Sequence, residues 1–353
     1  MDNHLVEIFR NFIDNENIVS IKEYGDGHIN DTYLVTTDSS QYILQRVNQE
    51  VFNITNLTNN YKQLFISYKT LDESIKHFPD LCKNKDGELH ILDSMGSAWR
   101  VAEFLDNINA FSISPDIVTS TLAGKAMGRF QNFLNRLDTD SFIDTIPDFH
   151  NPHKRFSSFE KSLDNSESAL ISAAKPEVDF ALNNRYITDN MSNIISNNIL
   201  PVRITHNDPK LENILFKSDK SDAYIIDLDT IMKGTLIFDF GDMVRSITSL
   251  AKEDEKDLAK VKFNFDHFRA LAGGYFSELT NTISKSEKEN IYNGILSVIY
   301  VQGIRFLGDF LEGNNYYKVQ YPEHNLVRCR TQFKLLKEII EMETEIKSFL
   351  RSN

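Results

Sequence analysis

His206-Asn207-Asp208-Pro209-Lys210-Leu211-Glu212-Asn213, followed downstream by Ile225-Ile226-Asp227-Leu228-Asp229, is the stretch on which the reading of this chain turns. A base that takes a proton from an attacking hydroxyl must face that hydroxyl, while a carboxamide oxygen five residues on reaches back to a metal ion bridging phosphates. Asp208 and Asn213 have that separation. Fourteen residues beyond Asn213, the apolar run 225–226 delivers Asp227 at its end, where phosphoryl-transfer sites carry a second metal-binding carboxylate. A loop Asp capping a turn is the plain alternative for either residue taken alone, and the pairing is what favours chemistry. Asp227 is the expected metal ligand, with Asp229 the second choice or a partner supporting it. His206 is expected to brace the loop backbone and hold Asp208 in place more than to move a proton. Lys210 is expected to balance charge on a γ-phosphate, the alternative being a solvated surface lysine.

Upstream, segments at 32–36 and 42–47 read as strands joined by the turn Asp38-Ser39-Ser40, preceded by an approach to Tyr24 and a Gly25-Asp26-Gly27 turn. A helix is expected over 53–75, then strands at 89–92 and 98–104. These form a small antiparallel sheet. Gly25 and Gly27 sit where a loop could fold over nucleotide phosphates, although an ordinary hairpin turn uses the same residues. The next strand should bring a basic side chain to those phosphates, and Arg46 is the candidate in Tyr42-Ile43-Leu44-Gln45-Arg46-Val47, with an exposed edge arginine as the alternative.

Beyond residue 108 the apolar spacing turns helical over 115–137, 154–173, 176–197 and from 238 onward, interrupted by short strands and loop at 202–216 and 223–228. The expectation is an α+β chain of two lobes: a nucleotide-binding lobe at 1–106 with a small antiparallel sheet, and a mainly helical catalytic and substrate-binding lobe at 107–353.

Composition narrows the function. With 353 residues and a net charge of -13, the chain lacks the basic excess that grips a nucleic-acid backbone. Its two cysteines, Cys82 and Cys329, have neither disulfide-framework nor zinc-ligand spacing. No continuous apolar stretch approaches the roughly 20 residues that span a bilayer, and the first residues lack a signal peptide's basic start, so no membrane association and a cytoplasmic location are expected.

The residues together resemble a family. His206 to Asn213 followed by Ile225-Ile226-Asp227 is similar to the aminoglycoside phosphotransferase superfamily, protein-kinase-like in fold, which includes choline kinases and several sugar kinases. Tyr24-Gly25-Asp26-Gly27-His28-Ile29-Asn30-Asp31-Thr32-Tyr33, Tyr42 to Asn48, Ile146-Pro147-Asp148-Phe149-His150 and Gly303-Ile304-Arg305-Phe306-Leu307 resemble the N-acetylhexosamine 1-kinases within it. The resemblance implies transfer of the ATP γ-phosphate, with magnesium, to the anomeric hydroxyl of N-acetylglucosamine or N-acetylgalactosamine. It implies that Asp208 takes the hydroxyl proton, that Asn213 and Asp227 hold magnesium, and that adenine meets backbone from Glu103 to Leu105. His28, Asn30 and Arg305 become candidates to bind sugar hydroxyls, and Tyr317, with Tyr316 and Tyr321, to stack against the ring. Pro209 after the base departs from the varied residues of relatives and leaves the sugar open. An amino alcohol, aminoglycoside or other sugar would use the same chemistry, and a catalytically inactive kinase-like scaffold is the alternative of another class.

Overall fold

The computed structural model describes residues 2–25, 29–71 and 77–352. The chain forms two compact units. The first comprises 1–108 with two short returns at 140–147 and 228–231, and the second comprises 109–139, 148–227 and 232–353. The division at 106/107 expected from sequence contains neither return.

The first unit begins with α1 (Asn3–Arg10), whose start is capped by the Asp2 carboxylate accepting from His4 N. Strands β1 (Ile18–Glu23), β2 (Asp31–Thr37) and β3 (Gln41–Val47) follow, then α2 (Ile54–Thr70), β4 (Ile91–Leu92) and β5 (Ala98–Glu103). They build a five-stranded antiparallel sheet in the order β1-β2-β3-β5-β4. The turn at 38–40 closes β2 onto β3 as expected, with Thr37 N donating to Ser40 O at 2.9 Å. Because side chains alternate across a strand, Val35, Leu44, Trp99 and Val101 share one face, and there they bury Leu5, Ile8, Phe9 and Phe12 of the N-terminal helical segment. Asn53 caps α2, its Oδ1 accepting from Thr55 N at 3.0 Å and Asn56 N at 3.1 Å. The described helix ends at Thr70, and the remainder of the expected 53–75 span includes residues outside the described ones.

A two-residue strand β6 (Ile108–Asn109) precedes the second unit's helices α3 (Ile117–Leu134), α4 (Pro152–Asn165), α5 (Ser168–Ala173), α6 (Lys175–Asn183) and α7 (Tyr186–Ser196). The single helices expected at 154–173 and 176–197 are each broken. Ser166 has an extended backbone after α4, and Asn184 ends α6, two residue types that favour caps over helix interiors. Strands β7 (Arg203–Thr205), β8 (Ile214–Lys217), β9 (Ala223–Ile225) and β10 (Met232–Gly234) form two small antiparallel pairings, β7 with β10 and β8 with β9. The rest is helical: α8 (Leu236–Ile247), α9 (Phe265–Glu278), α10 (Lys285–Leu311), α11 (His324–Glu341) and α12 (Glu343–Ser352).

Backbones of α3 and α9 approach so closely that a Cβ on Gly124 would lie 2.2 Å from Leu271 O. Helix α10 is long and apolar enough to cross a membrane by length and composition, yet most of that stretch is buried inside this unit, which makes it a core helix. It packs against α4, α7, α8 and α11.

Candidate active site

The loop between β7 and β8 carries His206 to Asn213, and three constraints set its shape. Asn207 has φ +67°, a left-handed conformation that asparagine tolerates better than most residues. Asp239, in the first turns of α8, accepts from His206 N and from Asn207 N, both at 2.8 Å. Gly234 on β10 leaves room for the loop, since a Cβ there would lie 2.6 Å from Asn207 Oδ1. From another direction His150 Nε2 donates to Asn207 O at 2.7 Å. Burial pushes the Asp239 carboxyl up to about 7 against the pull of its two N–H donors. Sequence reasoning missed Asp239, whose signal is a lone carboxylate inside the apolar run Leu236-Ile237-Phe238-Asp239-Phe240.

Asp208 follows this braced turn. His206 is fully enclosed, and both ring nitrogens are engaged. Nε2 donates to Ile226 O at 2.9 Å and Nδ1 accepts from Asp208 N at 3.3 Å, while burial pushes the ring below its ordinary range. Through these two contacts the ring ties the backbone at Asp208 to that at Ile226. Asn213 Nδ2 donates to Asp208 O at 2.8 Å and to Asp208 Oδ2 at 3.2 Å. Lys210 Nζ lies 3.3 Å from Asp208 Oδ2. Burial works against charge on Asp208, but Lys210, His206 and Arg245 outweigh it and hold the carboxyl below its ordinary range. The Asp208 charge in turn raises Lys210, keeping the ammonium charged. Asp227 has φ +59° and is exposed, and its neighbour Ile226 donates N–H to Asn213 O at 2.9 Å, tying the end of β9 to the loop.

No group of three or more His, Cys, Asp or Glu in metal-binding arrangement occurs among the described residues. The donor set nonetheless fits a hard divalent cation: with its Nδ2 donating to Asp208, Asn213 keeps Oδ1 as an oxygen donor, and the Asp227 carboxylate follows Ile226, whose N–H is bonded to Asn213 O just beyond β9.

The second unit also assembles Phe149, His150, Arg155, Arg305 and Tyr317. Arg305 Cζ stands 5.7 Å from the Phe149 ring centre and 5.6 Å from that of Tyr317, and Nη1 donates to Gln302 at 3.0 Å. Asp309 fixes the Tyr317 backbone, accepting from Tyr316 N at 2.7 Å and Tyr317 N at 3.0 Å. The His150 ring is driven down to about 4 by burial, Arg305 and Arg155 also opposing its protonation while Asp208 favours it. Tyr321 is engaged elsewhere, stacked on His324.

In the first unit two expectations are corrected. Arg46 belongs by strand parity to the sheet face of Leu44 and Trp99, where it forms an exposed ion pair with Asp31 across β2 and β3 at 2.5 Å. Arg100 of β5 lies on the opposite face. It bonds Gln45 at 3.0 Å and grips Asp229 with Nη1 at 2.5 Å and Nη2 at 3.0 Å. Tyr61 donates to Asp229 Oδ1 at 3.0 Å and Asn30 Nδ2 to Oδ2 at 2.8 Å, so Asp229 is a buried anchor and not an open metal ligand. Asn30 is engaged at this point as well, its Oδ1 accepting from Asn48 N at 3.0 Å. Gly25 has φ +76° and sits exposed before β2, Glu103 ends β5, and Leu105 follows it outside regular structure. Gly27 and His28 lie outside the described residues.

Comparison with solved structures shows that the fold is shared with several small-molecule kinases. An aminopropanol kinase associated with a microcompartment matches with a TM-score of 0.63 at 15% identity, covering 96% of this chain and 98% of that one. A choline kinase from Cryptosporidium parvum matches with a TM-score of 0.60 at 14% identity, covering 99% of each chain. A spectinomycin phosphotransferase in complex with ADP and spectinomycin matches at 0.59 and 14% identity, covering 96% of each. Residues 20–271 match the phosphotransferase enzyme family APH, and the chain belongs to that family.

Proposed function

We propose that this chain transfers the γ-phosphate of ATP to a sugar hydroxyl, the anomeric hydroxyl of N-acetylglucosamine or N-acetylgalactosamine, in the cytoplasm. The observation that carries the reading is the Asp208 cluster, a charged carboxylate held by Asn213 and Lys210 on a braced loop. Asp208 accepts the proton of the attacking hydroxyl, and its orientation is set before substrate arrives by the two Asn213 bonds. Lys210 offsets negative charge on the transferring phosphoryl oxygens. Asn213 Oδ1 and Asp227 would hold magnesium, which when bound neutralises phosphate charge. Adenine would meet backbone near Glu103 and Leu105, with Gly25 toward the phosphates. On the acceptor side Arg305, Tyr317 and Phe149 offer a charged fork and aromatic faces, suited to a ring with many hydroxyls.

The test is ADP release from ATP and magnesium with N-acetylglucosamine, N-acetylgalactosamine, glucose, galactose, choline, aminopropanol and kanamycin as separate acceptors. Formation of an acid-labile, alkali-stable sugar 1-phosphate supports the reading. Turnover only with an amino alcohol or aminoglycoside retires the sugar while leaving the kinase.

A further inference from the structure

The mostly buried arginines Arg100, Arg129, Arg203, Arg245 and Arg328 each meet a carboxylate. Arg155 and Arg305 do not, although both are partly buried and lie close enough that each opposes the other's charge. They flank one aromatic ring, with Cζ atoms 5.8 Å and 5.7 Å from the centre of Phe149. Arg155 spends only Nε, donating to Phe149 O at 2.9 Å, and among the described residues its terminal nitrogens have no hydrogen-bond partner. The carboxylate most able to serve it, Asp148, is already paired with Lys154 at 2.5 Å. Beside the Arg305 guanidinium the Tyr317 side chain is buried, its hydroxyl next to Gln302, whose Oε1 accepts from Arg305 Nη1. In a chain of net charge -13 this is a local concentration of unpaired positive charge. Burial first, and Arg305 next, pull the Arg155 guanidinium down to about 10, with Tyr317, Tyr316 and Asp148 acting the other way.

We infer that the acceptor carries an anionic group, a carboxylate or a phosphate, that seats between Arg155 and Arg305 with the Tyr317 hydroxyl as a further donor. Two guanidinium groups against one ring supply the charge-assisted hydrogen bonds that bind such a group, and neutral hydroxyls alone do not require the second arginine. The inference rests on the sugar-kinase reading and narrows its substrate class to acidic derivatives of the amino sugar.

The experiment measures kcat/KM at saturating ATP for N-acetylglucosamine, its 6-phosphate, its 6-uronic acid and its 3-O-carboxymethyl ether. The wild type is compared with Arg155→Gln and Arg155→Lys. At least one anionic acceptor is expected to exceed the neutral sugar by about 10-fold or more in kcat/KM, mainly through KM. Arg155→Gln should collapse that ratio toward one, and Arg155→Lys should keep part of it. The phosphate and carboxylate arms report which anion fits. Equal or better use of the neutral sugar by the wild type overturns the inference whatever the variants do. So does a preference that survives Arg155→Gln, or a variant whose defect lies in the KM for ATP, which would assign the guanidinium to the nucleotide. Turnover of an amino alcohol with none of the four sugars overturns the sugar reading itself, an outcome distinct from preference for the neutral sugar.

Discussion

Asn213 donates one carboxamide nitrogen to both the carbonyl and the carboxylate of Asp208, at 2.8 Å and 3.2 Å. A single side chain thus aims the base and keeps its own carboxamide oxygen for a cation, with Asp227 two residues beyond the end of β9. Replacing it removes both effects at once. Asn213→Ala is expected to lower kcat by about 100-fold or more and to raise the magnesium concentration needed for half-maximal rate. A magnesium titration of initial rate checks this, and an unchanged requirement would remove Asn213 from the metal site.

Lys210 stands 3.3 Å from the same carboxylate and is kept charged by it. Lys210→Met should cost about 100-fold in kcat, the usual scale for losing one preorganised group that meets developing charge. The acceptor KM should change by much less. A defect confined to KM would make Lys210 a binding residue.

His150 is held near 4 by burial against an ordinary value of 6.5. As pH falls the unfolded chain therefore takes the proton first. The contribution is intact above 6.5 and is lost as pH drops toward 4, by up to about 3 kcal/mol. His150→Gln has no such titration, so its stability relative to wild type should improve steadily across that window. Urea unfolding at pH 7, 6, 5 and 4 reads the difference, and a constant offset would show that His150 titrates normally.

Arg100 and Asp229 form a buried two-point ion pair within the first unit. Arg100→Met leaves a buried carboxylate with only Tyr61 and Asn30 as donors, and should destabilise by about 3–5 kcal/mol. The double variant Arg100→Met with Asp229→Leu should recover much of that loss. Thermal unfolding of the two single variants and the double decides it, and strictly additive losses would argue against the pair.

The contact between Asp208 and Asn213 was legible because five residues of separation put both on one short loop. The short strands and the capped start of α2 were legible from alternation and from Asn53. Arg46 misled because a strand's composition does not say which face a residue takes. Pairing with β5 decides it, and puts Gln45 and Arg100 on the face opposite Arg46. Asp229 looked like a metal ligand since its partner Arg100 lies 129 residues away, and no spacing rule joins them. Asp239 was invisible for the same reason, its meaning residing in two backbone N–H groups more than thirty residues upstream. The helix breaks at Ser166 and Asn184 were hidden by apolar spacing that runs through them.

The central claim is that Asp208 is the base of an ATP-dependent phosphoryl transfer. It is tested most directly by measuring ADP formation by Asp208→Asn with the best acceptor, alongside ATP affinity by titration. The expected result is a loss of about 1,000-fold or more in kcat, with ATP binding within a few-fold of wild type. Activity within about 10-fold of wild type would contradict it, because a base that can be dispensed with is not the one taking the proton.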